Sequence, residues 1–343
     1  MKTPLFDTSA LQSRATSHQL PPFKVKQIFF ELFKNQRIHR EEMTTLSKDL
    51  KAELAQSFTP LSLSIIETVK SDTTTKFVFQ TLDGYIVEAM LMLHRQDEKY
   101  APYSATSPRK VAGRKLNRIT LCISSQVGCP VNCLFCITGK LGFTRNLSWD
   151  EIISQILYAN RRIQQQFGKK EDGSLRAVRN VVFMGMGEPL LNYDNVIQSI
   201  EIMLAQERLS LGRRHITIST AGIIPGIKRL IADKVQVKLA LSLHAPHQVL
   251  REKLMPIAKA YPLPALMEVI DEYVAATDNR IFYEYIMIKG ITDTPALAHE
   301  LVSLLAGRLA HVNLIPYNPN PVLDFLESDV KNIQLFKQIL EKG

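Results

Sequence analysis

Three cysteines crowd into eight residues, Cys129-Pro-Val-Asn-Cys133-Leu-Phe-Cys136. The C-x3-C-x2-C spacing puts three thiols on one tight loop, close enough together to grip a single inorganic centre. Thiolates are soft ligands, suited to iron–sulfur clusters or to zinc. A cubane cluster held by only three cysteines keeps one iron free of protein ligands, and a free iron can bind a substrate. Two other readings stay open. Cys122 could complete a zinc site, although structural zinc sites usually use two separated short pairs. A closed electron-carrier cluster fits less well, because the bacterial run is C-x2-C-x2-C.

The elements that must position these thiols are legible on both sides of them. From Arg118 onward the chain repeats a strand–loop–helix pattern. Strand candidates are ITLCISS, NVVFMGM, HITIST, VKLALSL, FYEYIMI and HVNLIP, with helices between them. Ser148 followed by Glu151 is a capping box that opens the first helix, whose buried stripe includes Ile152, Ile153, Ile156 and Leu157. Six such units predict a parallel α/β sheet, either doubly wound or curled into a partial barrel. Both arrangements bind ligands at the C-terminal ends of the strands. The distinctive residues fall there: the cysteine loop, Gly185-Met-Gly-Glu-Pro189, Ser219-Thr-Ala-Gly222, Ser242-Leu-His244 and Pro316-Tyr-Asn318.

Ahead of this core, residues 22–58 read as helical. Phe23, Ile28, Phe29, Leu32 and Phe33 make one apolar stripe; Met43, Leu46, Leu50 and Leu54 make a second. The strand signals LSLSIIETV, KFVFQ and YIVEAMLML follow, the last two joined by the hairpin-type turn Thr81-Leu-Asp-Gly84. The expected organisation is a small N-terminal α+β unit (residues 1–96), a connecting loop (97–117) and a core (118–343). The loop region is basic, with six Lys/Arg against two acids over residues 97–118. It is a solvated connector or a contact for phosphates. A net charge of +9 favours polyanionic partners through counterion release. With all four cysteines inside 122–136, no disulfide framework is expected. No signal pattern or apolar run of membrane-spanning length is present either, which together predict a cytoplasmic protein.

The cysteine triplet, with an aromatic residue before its last cysteine, resembles the signature of the radical S-adenosylmethionine (SAM) enzymes. The wider set CISSQVGCPVNCLFCITGKLGFTRNLS, VVFMGMGEPLLNYDNV, HITISTAGIIPGI, LALSLHAP, KLMPI, EYIMIKGITD and HVNLIPYNP is similar, nearly end to end, to the RlmN-type RNA adenine methyltransferases. That resemblance implies a partial (β/α)6 radical SAM barrel with a small N-terminal α+β domain. It implies a 4Fe-4S cluster on Cys129, Cys133 and Cys136, with SAM contacted by Gly187, Glu188, Ser219, Ser242, Leu243, His244 and Asn318. It implies 23S rRNA and tRNA as substrates, a one-electron donor such as flavodoxin, and a monomer.

The implied reaction is methylation of adenosine C2, an aromatic carbon without nucleophilic character. In the family's chemistry one SAM methylates a cysteine near the C-terminus, and a second supplies the radical that activates that methyl group. Cys122 matches the cysteine that helps resolve the resulting thioether crosslink. Glu88 matches the proposed proton acceptor. On the strand Tyr85–Met90 it shares a face with Ile86 and Met90: a covered apolar face would raise its pKa toward that of a general base, and a solvent-exposed one would leave it an ordinary surface acid. The segments GMGEPL and NLIPYNP lean to the C2 branch rather than to the relative that methylates C8.

The family's methyl-carrying cysteine belongs to an Ala-Cys-Gly-Gln-Leu segment that these residues do not contain. The expectation is a C-terminally incomplete copy, able to bind the cluster and SAM but not to transfer methyl. A radical SAM protein that binds RNA without methylating it, and a zinc-stabilised RNA-binding protein, are the competing classes. Neutralising Arg109, Lys110, Arg114 and Lys115 together should weaken RNA binding and reduce the salt slope of log K. The reduction should reach up to about 0.7–0.9 for each phosphate no longer neutralised. An unchanged slope would make the segment a connector only.

Overall fold

The computed structural model describes residues 3–4, 21–59, 61–95, 116–170 and 173–343. Arg109, Lys110, Arg114 and Lys115 lie outside them. The helical region expected at the N-terminus is two helices, α1 (Pro22–Phe29) and α2 (Lys48–Ser57), with a π-helical turn at Phe30–Lys34 after the first. The chain breaks between them where Gln36 takes a positive φ of 56°. It restarts where the Ser47 hydroxyl accepts from the Leu50 N–H at 3.3 Å. Both apolar stripes are buried except at Phe23, which is exposed. Five positions before Ile28, Phe23 lies about 140° around the helix from it and faces away from the core.

A meander of β1 (Leu63–Lys70), β2 (Thr74–Thr81) and β3 (Ile86–Arg95) runs into β4 (Leu116–Cys122). A small hairpin, β5 (Gln126–Gly128) and β6 (Phe143–Asn146), holds the cysteine loop and the short α3 (Ile137–Lys140) between its strands. Then come α4 (Trp149–Phe167), β7 (Asn180–Phe183), α5 (Tyr193–Leu204), β8 (Ile216–Thr220), α6 (Ile224–Ala232) and β9 (Lys238–Ser242). The chain continues through α7 (Gln248–Leu254), α8 (Leu263–Thr277), β10 (Ile281–Met287), α9 (Pro295–Leu305), β11 (Ala310–Pro316) and α10 (Val330–Lys342).

These strands form one nine-stranded sheet in the order β11-β10-β9-β8-β7-β4-β3-β2-β1. The six from β4 through β7 to β11 are mutually parallel, and each new strand is added on the same side. No reversal of direction occurs, so the winding is that of a partial barrel wall and not of a doubly wound sheet. Right-handed crossovers wound one way place their helices on one face. On that face Leu121, Val181, Phe183, Ile216, Ile218, Leu239, Leu241 and Tyr283 are buried in the main core. The opposite face carries Cys122 beside Val182 and, through the parallel register, Ser219 and Ser242; all four are only half-buried. The antiparallel strands continue this sheet, with Met90 directly opposite Cys122.

The cysteine hairpin depends on close backbone approach. At Gly128, φ is +75° and an added Cβ would lie 1.8 Å from the Gly142 carbonyl oxygen. At Gly84, φ is +91° with open space around the position. Gly84→Ala should therefore cost only the backbone term, about 1 kcal/mol. Gly128→Ala should cost more and open the β5–β6 pairing. Thermal melts of the two variants test this, and equal shifts would contradict it.

Candidate active site

The loops after β4, β7 and β8 are stitched together by buried polar side chains. Gln155 of α4 accepts from the Ser124 N–H at 2.9 Å and donates to the Ser124 carbonyl at 3.0 Å. The Ser124 hydroxyl donates to the Glu88 carbonyl and accepts from the Met186 N–H. Gln126 accepts from the Glu188 N–H at 2.8 Å, and Asn192 donates to the Ser125 and Leu147 carbonyls, each at 2.7 Å. Gly187 has φ +106°, and an added Cβ would lie 2.6 Å from the Gln126 side chain, so only glycine lets this turn press so closely. Glu188 is buried; its Oε2 accepts from the Ala221 N–H at 2.7 Å and its Oε1 from the Leu190 N–H at 3.1 Å. Burial pushes this carboxyl up to about 7 despite those donors and the Thr220 hydroxyl.

The cysteine loop sits above this layer. The Cys129 N–H donates to the Gly142 carbonyl and the Cys136 N–H to the Cys133 carbonyl, while the Leu134 N–H reaches the Leu254 carbonyl beside α7. Cys129, Cys133 and Phe135 pack on a small apolar cluster of Val131, Ala221, Leu254, Met255, Ile286, Ile288 and Tyr317. Burial pushes the Cys129 thiol up to about 11. It also holds the Cys133 thiol well above the ordinary range, reinforced by the charges Cys136, Cys129 and Glu188 would carry. Arg251 of α7 opposes that shift at Cys133. Its Nη2 donates to the Ala221 carbonyl at 2.6 Å and more weakly to the Ser242 carbonyl at 3.3 Å.

His244, with φ at 57°, stacks edge-on against Phe135 with ring centroids 4.8 Å apart. Its Nδ1 accepts from the Ile286 N–H at 3.1 Å. Burial, with Arg251 nearby, pushes its pKa down to about 3, so the ring is neutral near pH 7 and its proton lies on Nε2.

Comparison with known proteins places the chain. It is 39% identical over 320 residues to a Dictyoglomus turgidum protein named "Probable dual-specificity RNA methyltransferase RlmN", covering 93% of this chain and 84% of that one. An Aquifex aeolicus protein of the same name is 39% identical over 336 residues, covering 97% and 88% respectively. The chain belongs to the RlmN family. A solved structure of a radical SAM methyltransferase from Sphaerobacter thermophilus matches with a TM-score of 0.87 and 37% identity, covering 99% of this chain and 92% of that one. No family model matches.

The residues that the RlmN resemblance singles out divide into two groups. The three loop cysteines, Gly187, Glu188, Leu243 and His244 gather in the interlocked loops, with Ser219 and Ser242 on the helix-free face near the ends of β8 and β9. Asn318 follows β11 and is exposed. Cys122 and Glu88 lie farther along the same face, on β4 and β3. Burial, only partly offset by a hydrogen bond from the Met184 backbone, pushes the Cys122 thiol up to about 12. Of the two settings open to Glu88, the solvent-exposed one is found. Glu88 shares its face with Ile86 and Met90, but that face is open, and the carboxylate is 44% exposed with Lys76 Nζ at 2.9 Å. Among the described residues, no three His, Cys, Asp or Glu side chains form a closed metal cage. Metal binding by thiols releases their protons, so a cluster would take these three as thiolates.

Sequence reading missed Arg251, Gln126 and Gln155. The signal for Arg251 was a charge three positions before Leu254 on the inward face of a short helix. Glu188 also sets a pH response. Its carboxyl titrates higher in the folded chain, so between pH about 4.5 and 7 folding takes up a proton and stability falls as pH rises. Melts of cluster-free protein should show a decline on the order of 1–3 kcal/mol across that window. Glu188→Gln should start less stable and lose the slope; a retained slope would assign it to another group.

Proposed function

We propose that this chain is a radical SAM RNA methyltransferase acting on adenosine C2 in 23S rRNA and tRNA. The observation that carries the reading is the placement of the Cys129, Cys133 and Cys136 loop against the Gly187-Glu188 turn and the Leu243-His244 loop. Three soft thiols beside a buried guanidinium and an apolar floor fit a 4Fe-4S cluster with one iron left for SAM. When bound there, the cluster and SAM supply one-electron cleavage of SAM and a carbon radical.

The chain's own residues bind, orient and protect. The backbone at Gly187 and Glu188 offers polar groups held rigid by Gln126. Ser219 and Ser242 present hydroxyls on the helix-free face, and Asn318 offers an amide at the end of β11. His244, with its Nδ1 already engaged, keeps an Nε2–H to donate. The Cys122 thiol is protonated near pH 7 and must give up that proton before it can act as a nucleophile. Glu88, paired with Lys76, is a carboxylate on the same face of the sheet that could receive it.

The same reading gives the N-terminal unit (residues 1–96) and the basic segment 97–117 a share in RNA binding, with residues 118–343 as the catalytic core. The net charge of +9 supports an RNA partner. The proposed reading also makes the protein a cytoplasmic monomer that receives electrons from a carrier such as flavodoxin. No helix among the described residues is long and apolar enough to cross a membrane.

Anaerobic reconstitution should load four irons and four sulfides per chain. Alanine at Cys129, Cys133 or Cys136 should abolish the cluster, whereas Cys122→Ala should retain it. Loss at Cys122→Ala as complete as at Cys133→Ala would mean four ligands and no open iron. A colourless, zinc-loaded protein would support the RNA-binding class instead. With the Ala-Cys-Gly-Gln-Leu segment supplied, mass spectrometry of treated RNA should separate 2-methyladenosine from 8-methyladenosine; 2-methyladenosine formed by these residues alone would show that the relay cysteine is dispensable.

A further inference from the structure

Arg251 is 0% exposed, and two of its nitrogens, Nε and Nη1, are buried with no hydrogen-bond partner among the described residues. Its third, Nη2, is engaged by the Ala221 and Ser242 carbonyls, which are neutral. A buried guanidinium left without an anion is costly. Nε and Nη1 are too covered for a diffusing ligand to reach, so the anion must come from a group that already packs there. Cys133 is the candidate: it packs on the small cluster that contains Ala221 and Leu254, Arg251 Nη2 donates to the Ala221 carbonyl, and the Leu134 N–H ties the cysteine loop to Leu254 at the end of α7. A negative charge on Cys133 would stabilise the Arg251 cation.

We propose that Arg251 is the buried countercharge of the cysteine loop, a positioning residue that acts through the Cys133 thiolate and raises the reduction potential of the cluster held there. The proposal rests on the cluster-binding reading above. Hydrogen bonds and positive charge at a cluster's sulfurs make the reduced, more negative state easier to reach. A backbone clamp on β8 and β9, which Nη2 already provides, would leave the potential alone.

The test compares Arg251→Gln, which keeps an amide donor without charge, with Arg251→Lys, which keeps the charge. Iron and sulfide content, melting of the cluster-free protein and an EPR-monitored redox titration of the loaded protein are read for each. Arg251→Gln should fold, and its reduction equilibrium should shift at least tenfold toward the oxidised form, about 59 mV for one electron. Arg251→Lys should keep most of the wild-type potential. An Arg251→Gln protein that folds but cannot hold iron, beside an Arg251→Lys protein that can, supports the same countercharge. If Arg251→Gln fails to fold, or folds with the wild-type potential, Arg251 is a clamp and the proposal falls. An unchanged potential with weakened SAM binding would overturn it in favour of a ligand contact. A wild-type protein that takes up no iron sinks the function reading first, which keeps the two failures distinct.

Discussion

The Glu188 carboxylate is where three loops of the candidate site meet. Its oxygens hold the N–H groups of Leu190 and Ala221, and its own N–H is held by Gln126 from the hairpin that carries the cysteines. A carboxylate suits this place because, when ionised, it accepts on both oxygens and donates nothing, so it can gather backbone donors from separate segments. Burial works against the charge and the donors work for it. Ala221 then passes the constraint on, since its carbonyl receives Nη2 of Arg251. The two buried charges of the site therefore share one residue between them without forming a direct ion pair. Because they do not neutralise each other, Arg251 keeps positive charge to spare for the cysteine loop.

A second anchor fixes the cysteine hairpin from outside. Arg145 on β6 reaches the Asp83 carboxylate in the turn between β2 and β3 with Nη2 at 2.6 Å, and Glu151 in the first turn of α4 with Nη1 at 2.8 Å. The guanidinium beside Asp83 holds that carboxyl down to about 2. Both pairs are forked, which adds direction as well as attraction, although the Asp83 side remains open to solvent and to screening. Through this residue the N-terminal meander and the first core helix agree on where the hairpin stands. The face of β3 that bears Glu88 and Met90 thereby lies beside Cys122.

What the sequence determined by itself was local and periodic. The strands, the helix opened by Ser148 and the two N-terminal stripes follow from alternation and capping, which operate between near neighbours. The thiol triplet and the Gly-Met-Gly-Glu turn follow from spacing along a few residues. Tertiary structure decided three further matters. The one-way strand order chose a barrel wall over a doubly wound sheet, because the direction of each crossover is invisible in periodicity. The setting of Glu88, desolvated or solvent-facing, depended on what covers that face of the sheet, and the open sheet and Lys76 left it solvated. Arg251 became meaningful only when α7 carried it inside, onto the Ala221 carbonyl: a lone arginine in a helix reads as a solvated charge until long-range packing removes the water.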